Sequence, residues 1–336
     1  MNDLRKEQLS QWIAEKLNIE APVLQTVSGD ASFRRYFRFK NKSQKPEKTS
    51  IAVDSPPDME NNQAFHQISQ ILLSLDLNVP IVREIDLSNG FMLLSDLGDQ
   101  LYLDSLSETT NDYLYHLAID AIIEMQKISE TELQQIPVYS QQQLEHELQL
   151  FRDWFLDRHL QLSVSNSENK MIDQLFGKLV DNALNQPQVF CHSDYHSRNL
   201  MICGVQTPGI IDFQDAVNGP VTFDLVSLLK DCYIKWSGEK IERWCQYYFD
   251  KATSENIINT TFEQFIQWFE LMGLHRHIRV LGIFTRLNYR DDKPAYLNDL
   301  DLTFSYVQEA CKNQPEFSEF AQFLTERVQP KLEKRY

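Results

Sequence analysis

The sequence predicts an α+β chain made of two lobes, a small β-rich N-terminal lobe over 1–97 and a larger, mainly helical C-terminal lobe over 98–336. Three observations predict it. Before Gly98 apolar residues alternate with polar ones in several short segments, as in strands, and beyond it they recur mostly at the period of a helix. At 336 residues the chain is too long for one small core. Its 42% hydrophobic and 11% aromatic residues supply the apolar surface that such lobes must bury.

The first element, residues 4–18, carries Leu9, Trp12, Ile13 and Leu17 at helical spacing. Val23 to Val27 follow, then the turn signal SGDAS, then FRRYFRF. There Phe33, Phe37 and Phe39 alternate with polar positions, which predicts a strand with Arg34, Tyr36 and Arg38 on one face and Phe33, Arg35, Phe37 and Phe39 on the other. The polar stretch NKSQKPEKTS reads as a hairpin loop. SIAVDS (50–55) is a third strand, ended by Pro56 and Pro57. Residues 61–76 place Ala64, Ile68, Ile71, Leu72 and Leu75 on one helical face, and IVREIDLS and GFMLLSDL form strands around the turn Asn89-Gly90. Helices are predicted over 111–128, 141–160 and 168–185, with short apolar strands at 188–191 and 209–213. From 221 onward the pattern is helical, with breaks near Gly238, Pro294, Pro315 and Pro330 and another expected at LNYRD (287–291). A ligand is expected in the cleft between two such lobes.

The formal net charge of −16 repels polyanions, so nucleic acid is not an expected partner. It suits a cationic substrate or a metal ion, although many soluble enzymes are simply acidic. Cys191, Cys203, Cys232, Cys245 and Cys311 form no C-x-x-C pair and are odd in number, which reads as free thiols in a reducing compartment. The amphipathic N-terminus has no apolar signal region, and no run of about 18 apolar residues occurs. A cytoplasmic protein without a membrane partner is expected. The sequence carries no signal for oligomeric state.

Chemistry concentrates in HSDYHSRNLM (192–201). His192, Asp194 and His196 alternate as zinc ligands on a strand would, but no fourth Cys or His stands at ligand spacing. Ser193 beside a histidine suggests a nucleophile, but it lacks the G-x-S-x-G elbow. Phosphoryl transfer accounts for more residues. Asp194 and Asn199 are spaced as in H-x-D-x-x-x-x-N, and GIIDF supplies Asp212 at the end of an apolar run. Such a reaction needs a carboxylate to take the acceptor's proton, and oxygen ligands to hold Mg²⁺ against the phosphates.

The string HSDYHSRNLM…GIIDFQDAVNGPVTFDLVSLL resembles the signature of the aminoglycoside phosphotransferase/choline kinase family, matching at His192, Asp194, Asn199, Asp212, Gly219, Asp224 and Leu225. The resemblance implies a bilobal protein-kinase-like fold that uses ATP and Mg²⁺. It implies that Asp194 is the catalytic base and that Asn199 and Asp212 hold the metal. His192 would pack beneath the loop, and Asp224 would bond the loop and fix its shape. Gln214 and Asp215 are candidates for contact with metal-bound water or substrate, and His196 and Arg198 for contact with the acceptor. Leu94, Ser95, Asp96 and Leu97 fall where the fold presents backbone groups to adenine.

The N-terminal lobe departs from the kinase pattern. The third strand has no lysine at Ala52–Asp54, and the following helix has no glutamate inside it. Either nucleotide binding is lost or another cation replaces the lysine, with Arg34 the first choice and Arg35 the second. Gly29 and Ser32 would give a tight turn whose N–H groups face the phosphates. Four segments, GDASFRRYFR, SDLG, DFQDAVNGPVTFDLVSLLKDCY and GLHRHIRVLGIFTRLNYRDDKPAYLNDL, resemble bacterial kinases acting on the anomeric hydroxyl of N-acetylmuramate and N-acetylglucosamine in cell-wall recycling. Those kinases also lack the lysine. Arg276, Arg279, Arg286 and Arg290 step along one helix as a cationic stripe suited to a muramyl carboxylate, and Asn288, Tyr289 and Arg290 are sugar-binding types. The alternatives are an aminoglycoside- or choline-type phosphotransferase with a cationic acceptor, and a non-catalytic nucleotide-binding relative.

Overall fold

The computed structural model describes residues 3–27, 33–41, 48–312 and 314–335. The chain forms two compact units: Met1–Ser107 with Arg198–Asp215, and Glu108–Ser197 with Ala216–Tyr336. The sequence pattern places one boundary after residue 97. The observed units have theirs after Ser107, Ser197 and Asp215, because a short hairpin at 200–210 joins the first unit.

The first unit is a five-stranded antiparallel sheet of β1 (Gln25–Thr26), β2 (Arg35–Asn41), β3 (Lys48–Asp54), β4 (Val82–Asp86) and β5 (Phe91–Ser95), in the order β1-β2-β3-β5-β4. The β2–β3 register runs from Arg35↔Asp54 to Asn41↔Lys48, as expected for a hairpin. Phe33 precedes β2 and is exposed, so it is not part of the predicted apolar face. Helix α1 (Leu4–Leu17) buries Leu9, Trp12 and Ile13 against Leu24, Phe37, Phe39, Ala52, Phe91 and Leu93. Helix α2 (Asn62–Ser74) starts at an N-cap, Asn61, whose side chain accepts the Ala64 N–H. Gly90 takes a left-handed φ of +70°, and a Cβ there would lie 1.8 Å from the Ser55 carbonyl oxygen, so the predicted turn requires glycine. Strands β6 (Gln188–Cys191), of the second unit, and β7 (Leu200–Met201) and β8 (Gly209–Ile210) follow the predicted apolar runs. β7 and β8 pair with each other, and the Ile202 and Ile210 N–H groups bond to Gln100 O and Asn78 O, which ties 200–210 to the first unit. The strand predicted over 209–213 stops at Ile210, two residues before Asp212 takes a left-handed φ of 66°.

In the second unit β6 pairs antiparallel with β9 (Val217–Pro220). Around this ladder are α3 (Asn111–Gln126), α4 (Gln141–Leu150), α5 (Asn166–Leu184), α6 (Phe223–Leu229), α7 (Gly238–Ser254), α8 (Phe262–Asp291) and α9 (Leu300–Lys312). The predicted 141–160 helix is regular only to Leu150, then widens to π geometry over Phe151–His159. The break expected within 287–291 does not occur. Helix α8 runs unbroken through Asp291 and ends at Asp292, whose left-handed φ of 54° is the helix stop.

Candidate active site

In the second unit β6 delivers the chain into His192, and a buried carboxylate catches it. Asp224, in the first turn of α6, accepts the N–H groups of His192 at 2.7 Å and Ser193 at 3.0 Å. These bonds hold Ser193 at φ +78°, a conformation that a residue with a Cβ adopts only when its surroundings impose it. His192 is fully buried; its Nδ1 accepts the Asp194 N–H at 3.3 Å, and its ring meets Tyr195 edge-on. His192 thus lies beneath the loop and bonds its backbone. With Nδ1 so engaged it is a poor zinc ligand, and among the described residues no group of three or more His, Cys, Asp or Glu side chains forms a metal site.

Sequence reasoning did not single out two further anchors. Buried Asp231 accepts both the N–H and the hydroxyl of Ser197, and the Tyr195 hydroxyl donates to Ala118 O at 3.0 Å. Nothing in the spacing of LLKDCY separates Asp231 from a helix-end residue. The loop 192–197 is thus held by Asp224 at its start and Asp231 at its end.

Asp194 is half-buried in a cationic environment. Burial works against its charge, but the fields of Arg279, His196, Arg276 and His192 outweigh it and hold its carboxyl below the ordinary carboxylate value. Arg279 lies 2.8 Å from Glu147, and Arg276 donates to the Cys232 Sγ at 3.2 Å. The His196 ring meets Tyr233 edge-on, with centroids 5.3 Å apart. Asp224 has the opposite shift. Its carboxyl is pushed up to about 7, mainly by burial and further by Asp194, while the two N–H donors pull the other way.

In the first unit the β7–β8 hairpin brings Asn199 and Asp212 together. The Ile211 N–H bonds to Asn199 O at 3.1 Å, and the Asn199 amide lies 3.3 Å from Asp212 Oδ2. The Gln214 amide donates to Asp212 Oδ1 at 2.8 Å and to Asp215 Oδ2 at 3.3 Å. Gln214 Oε1 is buried and makes no hydrogen bond among the described residues. A carboxylate and two amides, one of them with its oxygen unpartnered, form a hard-oxygen donor set, which fits Mg²⁺ once the Asn199 amide turns its oxygen inward. Arg198 and Asp215 are exposed.

The same unit shows what stands on β3 where kinases carry a lysine. Asp54 is buried and accepts Arg5 Nε at 2.8 Å and Arg35 Nε at 3.0 Å. The charge pattern is therefore inverted: β3 supplies the anion, and α1 and β2 supply the cations. Arg35 also pairs with Asp3 and is committed to this cluster. Arg34 is buried, pairs with Glu60 at 3.0 Å, and lies over the Phe65 ring. Phe65 packs on Phe213, the residue after Asp212, with centroids 4.9 Å apart. Glu60 lies just before α2, which itself contains no glutamate.

At the end of β5 Leu94 is buried, and Ser95 exchanges bonds with Ile81. The Asp96 side chain is bound by Arg38 Nε at 2.6 Å and by the Gly98 N–H at 2.9 Å, and the Leu97 carbonyl accepts the Cys203 thiol. Ser32 and Gly29 lie outside the described residues. On α8 Asn288 is half-buried, Tyr289 bonds His159 Nδ1 at 3.2 Å, and Arg290 pairs with Asp291 at 2.9 Å. All five cysteines are free, and four are buried. Among the described residues no helix is long and apolar enough to cross a membrane.

A family model described as "phosphotransferase enzyme family" matches residues 23–256. The chain belongs to this family. This phosphotransferase is 37% identical to an N-acetylmuramate/N-acetylglucosamine kinase of Pseudomonas putida, over 97% of both chains. It is 38% identical to a protein of the same name from Pseudomonas aeruginosa, over 96% of this chain and 97% of that one. An ADP-bound aminoglycoside phosphotransferase superposes with a TM-score of 0.58 at 15% identity, over 88% of this chain and 96% of that chain. The fold of this phosphotransferase is kinase-like α+β, as expected from the signature at 192–225.

Proposed function

We propose that this phosphotransferase is an ATP- and Mg²⁺-dependent kinase for the anomeric hydroxyl of N-acetylmuramate and N-acetylglucosamine. The observation that carries the reading is Asp194, held ionised among Arg279, Arg276 and two histidines on a loop pinned at both ends. The relatives' shared name supports the choice of acceptor. Arginines around the base disfavour a cationic acceptor, and a pinned, ionised base has no purpose in a protein that only binds nucleotide.

Asp194 orients the anomeric hydroxyl and takes its proton. That hydroxyl is more acidic than an ordinary alcohol, so a weakly basic carboxylate suffices. The anomeric oxygen bonds the γ-phosphorus, the bond from phosphorus to the β–γ bridging oxygen breaks, and ADP leaves. Asn199 and Asp212 are the residues that would hold Mg²⁺, which supplies charge neutralisation on the phosphates. Gln214 keeps the Asp212 carboxylate aimed. We assign the phosphate-gripping role to Arg34, fixed by Glu60, and the adenine-side backbone to Leu94–Leu97. The buried free thiols support a cytoplasmic location.

The test is ADP release with N-acetylmuramate, N-acetylglucosamine, choline and an aminoglycoside. Turnover of at least one of the two sugars is expected, with a loss of about 10³-fold or more in kcat for Asp194→Asn. Turnover of neither sugar overturns the acceptor assignment, and an Asp194→Asn variant near wild-type rate overturns the role of the base.

A further inference from the structure

Arg276, Arg279, Arg286 and Arg290 lie along α8, and three of them are engaged. Arg276 bonds Cys232 Sγ and Lys230 O, Arg279 pairs with Glu147, and Arg290 pairs with Asp291. Arg286 differs. It is half-buried and makes no ion pair or hydrogen bond among the described residues, and its Nε, like those of Arg276 and Arg279, is enclosed without a hydrogen bond. Burial, then Arg290, pushes its guanidinium down from the ordinary arginine value, and Arg279 adds to this. The acids that act on it, Asp291 and Glu147, are each bound to another arginine.

Both carboxylates that act on Arg286 are thus already paired, and none is left for its own guanidinium among the described residues. A guanidinium that has given up part of its water without gaining an anion is stabilised when a ligand brings one. The planar fork of arginine suits a carboxylate in two-point contact.

Position limits which anion this is. Arg279 is the leading charge on Asp194. Arg286 follows seven residues later on the same helical face, about 10 Å further along the axis. An acceptor with its reacting hydroxyl at Asp194 and its ring lying along α8 would bring a ring substituent toward Arg286. N-acetylmuramate carries a lactyl carboxylate on the ring, and N-acetylglucosamine has a neutral hydroxyl there.

We propose that Arg286 binds the lactyl carboxylate of N-acetylmuramate and sets the preference of the enzyme between the acidic and the neutral sugar. The inference rests on the acceptor reading above. The experiment measures kcat/KM of wild type, Arg286→Ala and Arg286→Lys for both sugars. Arg286→Ala should lower the ratio of N-acetylmuramate to N-acetylglucosamine efficiency by about 30-fold or more, chiefly through KM for the acid. Arg286→Lys should recover part of the ratio, since it restores the charge without the fork. An unchanged ratio, whether both efficiencies fall together or neither moves, overturns the role of Arg286. A wild-type enzyme that turns over neither sugar overturns the acceptor reading instead, so the two failures are distinguishable.

Discussion

Asp224 and Asp194 are two carboxylates whose surroundings push them in opposite directions. Asp194 sits among cations and stays ionised; Asp224 is buried beside Asp194, and its carboxyl is pushed up to about 7. The protonated form of Asp224 is therefore favoured by folding. Its stabilising contribution is complete below the ordinary value of 3.8 and is lost as pH rises through about 7. The thermal midpoint should carry a component that falls with pH between about 4 and 7, and Asp224→Asn should remove it. Identical pH slopes in the two proteins would exclude the effect. The His192–Asp194–Asn199–Asp212–Asp224 set was legible in the sequence because each residue occupies a fixed spacing around one loop. Asp231, Glu60 and Glu147 were not, since each meets its partner only after distant segments fold together. Arg286 was legible as one arginine of a stripe, but its lack of a partner was not.

At the scale of elements, strand periodicity placed β2 to β5 and helical periodicity placed most of the helices. The errors have local causes. Asp212 adopts a left-handed φ that ends the strand predicted over 209–213, and α8 continues through a segment read as a break. The close approach of α8 to the end of α4 is a second case that no pattern predicts. A Cβ on Gly282 would lie 2.4 Å from the Leu150 carbonyl carbon and 2.7 Å from its oxygen. Because that obstacle is backbone, Gly282→Ala should destabilise by about 2–3 kcal/mol in urea unfolding. Gly177 in α5 has nothing within 4 Å of the equivalent point. Gly177→Ala should stabilise by about 0.5–1 kcal/mol, as helix propensity alone dictates. Equal effects at the two sites would refute the packing argument.

At the scale of the molecule, the chain passes three times between its compact units, and the second passage falls between Ser197 and Arg198. Asn199 and Asp212 belong to the unit of the five-stranded sheet, as does the Arg34–Glu60 pair. Nucleotide binding should therefore stabilise this unit in a metal-dependent way. With Mg²⁺ and a non-hydrolysable ATP analogue at about 100 times Kd, linkage contributes about 2.7 kcal/mol. For a protein of this size that raises the Tm by roughly 2–4 °C. EDTA should reverse most of the rise in wild type, and Asp212→Ala should show little rise to reverse. A rise insensitive to EDTA would argue against Asn199 and Asp212 as the metal ligands.

By itself the sequence determined the α+β plan, the candidate site at 192–212 and the family, because periodicity and fixed spacings are properties of neighbouring residues. Only the tertiary structure decided which charges are matched. It turned Asp54 into an anchor for Arg5 and Arg35, paired Arg34 with Glu60, surrounded Asp194 with arginines from α8, and left Arg286 without an anion. Charge matching depends on distance and burial, and those exist only once the chain has folded.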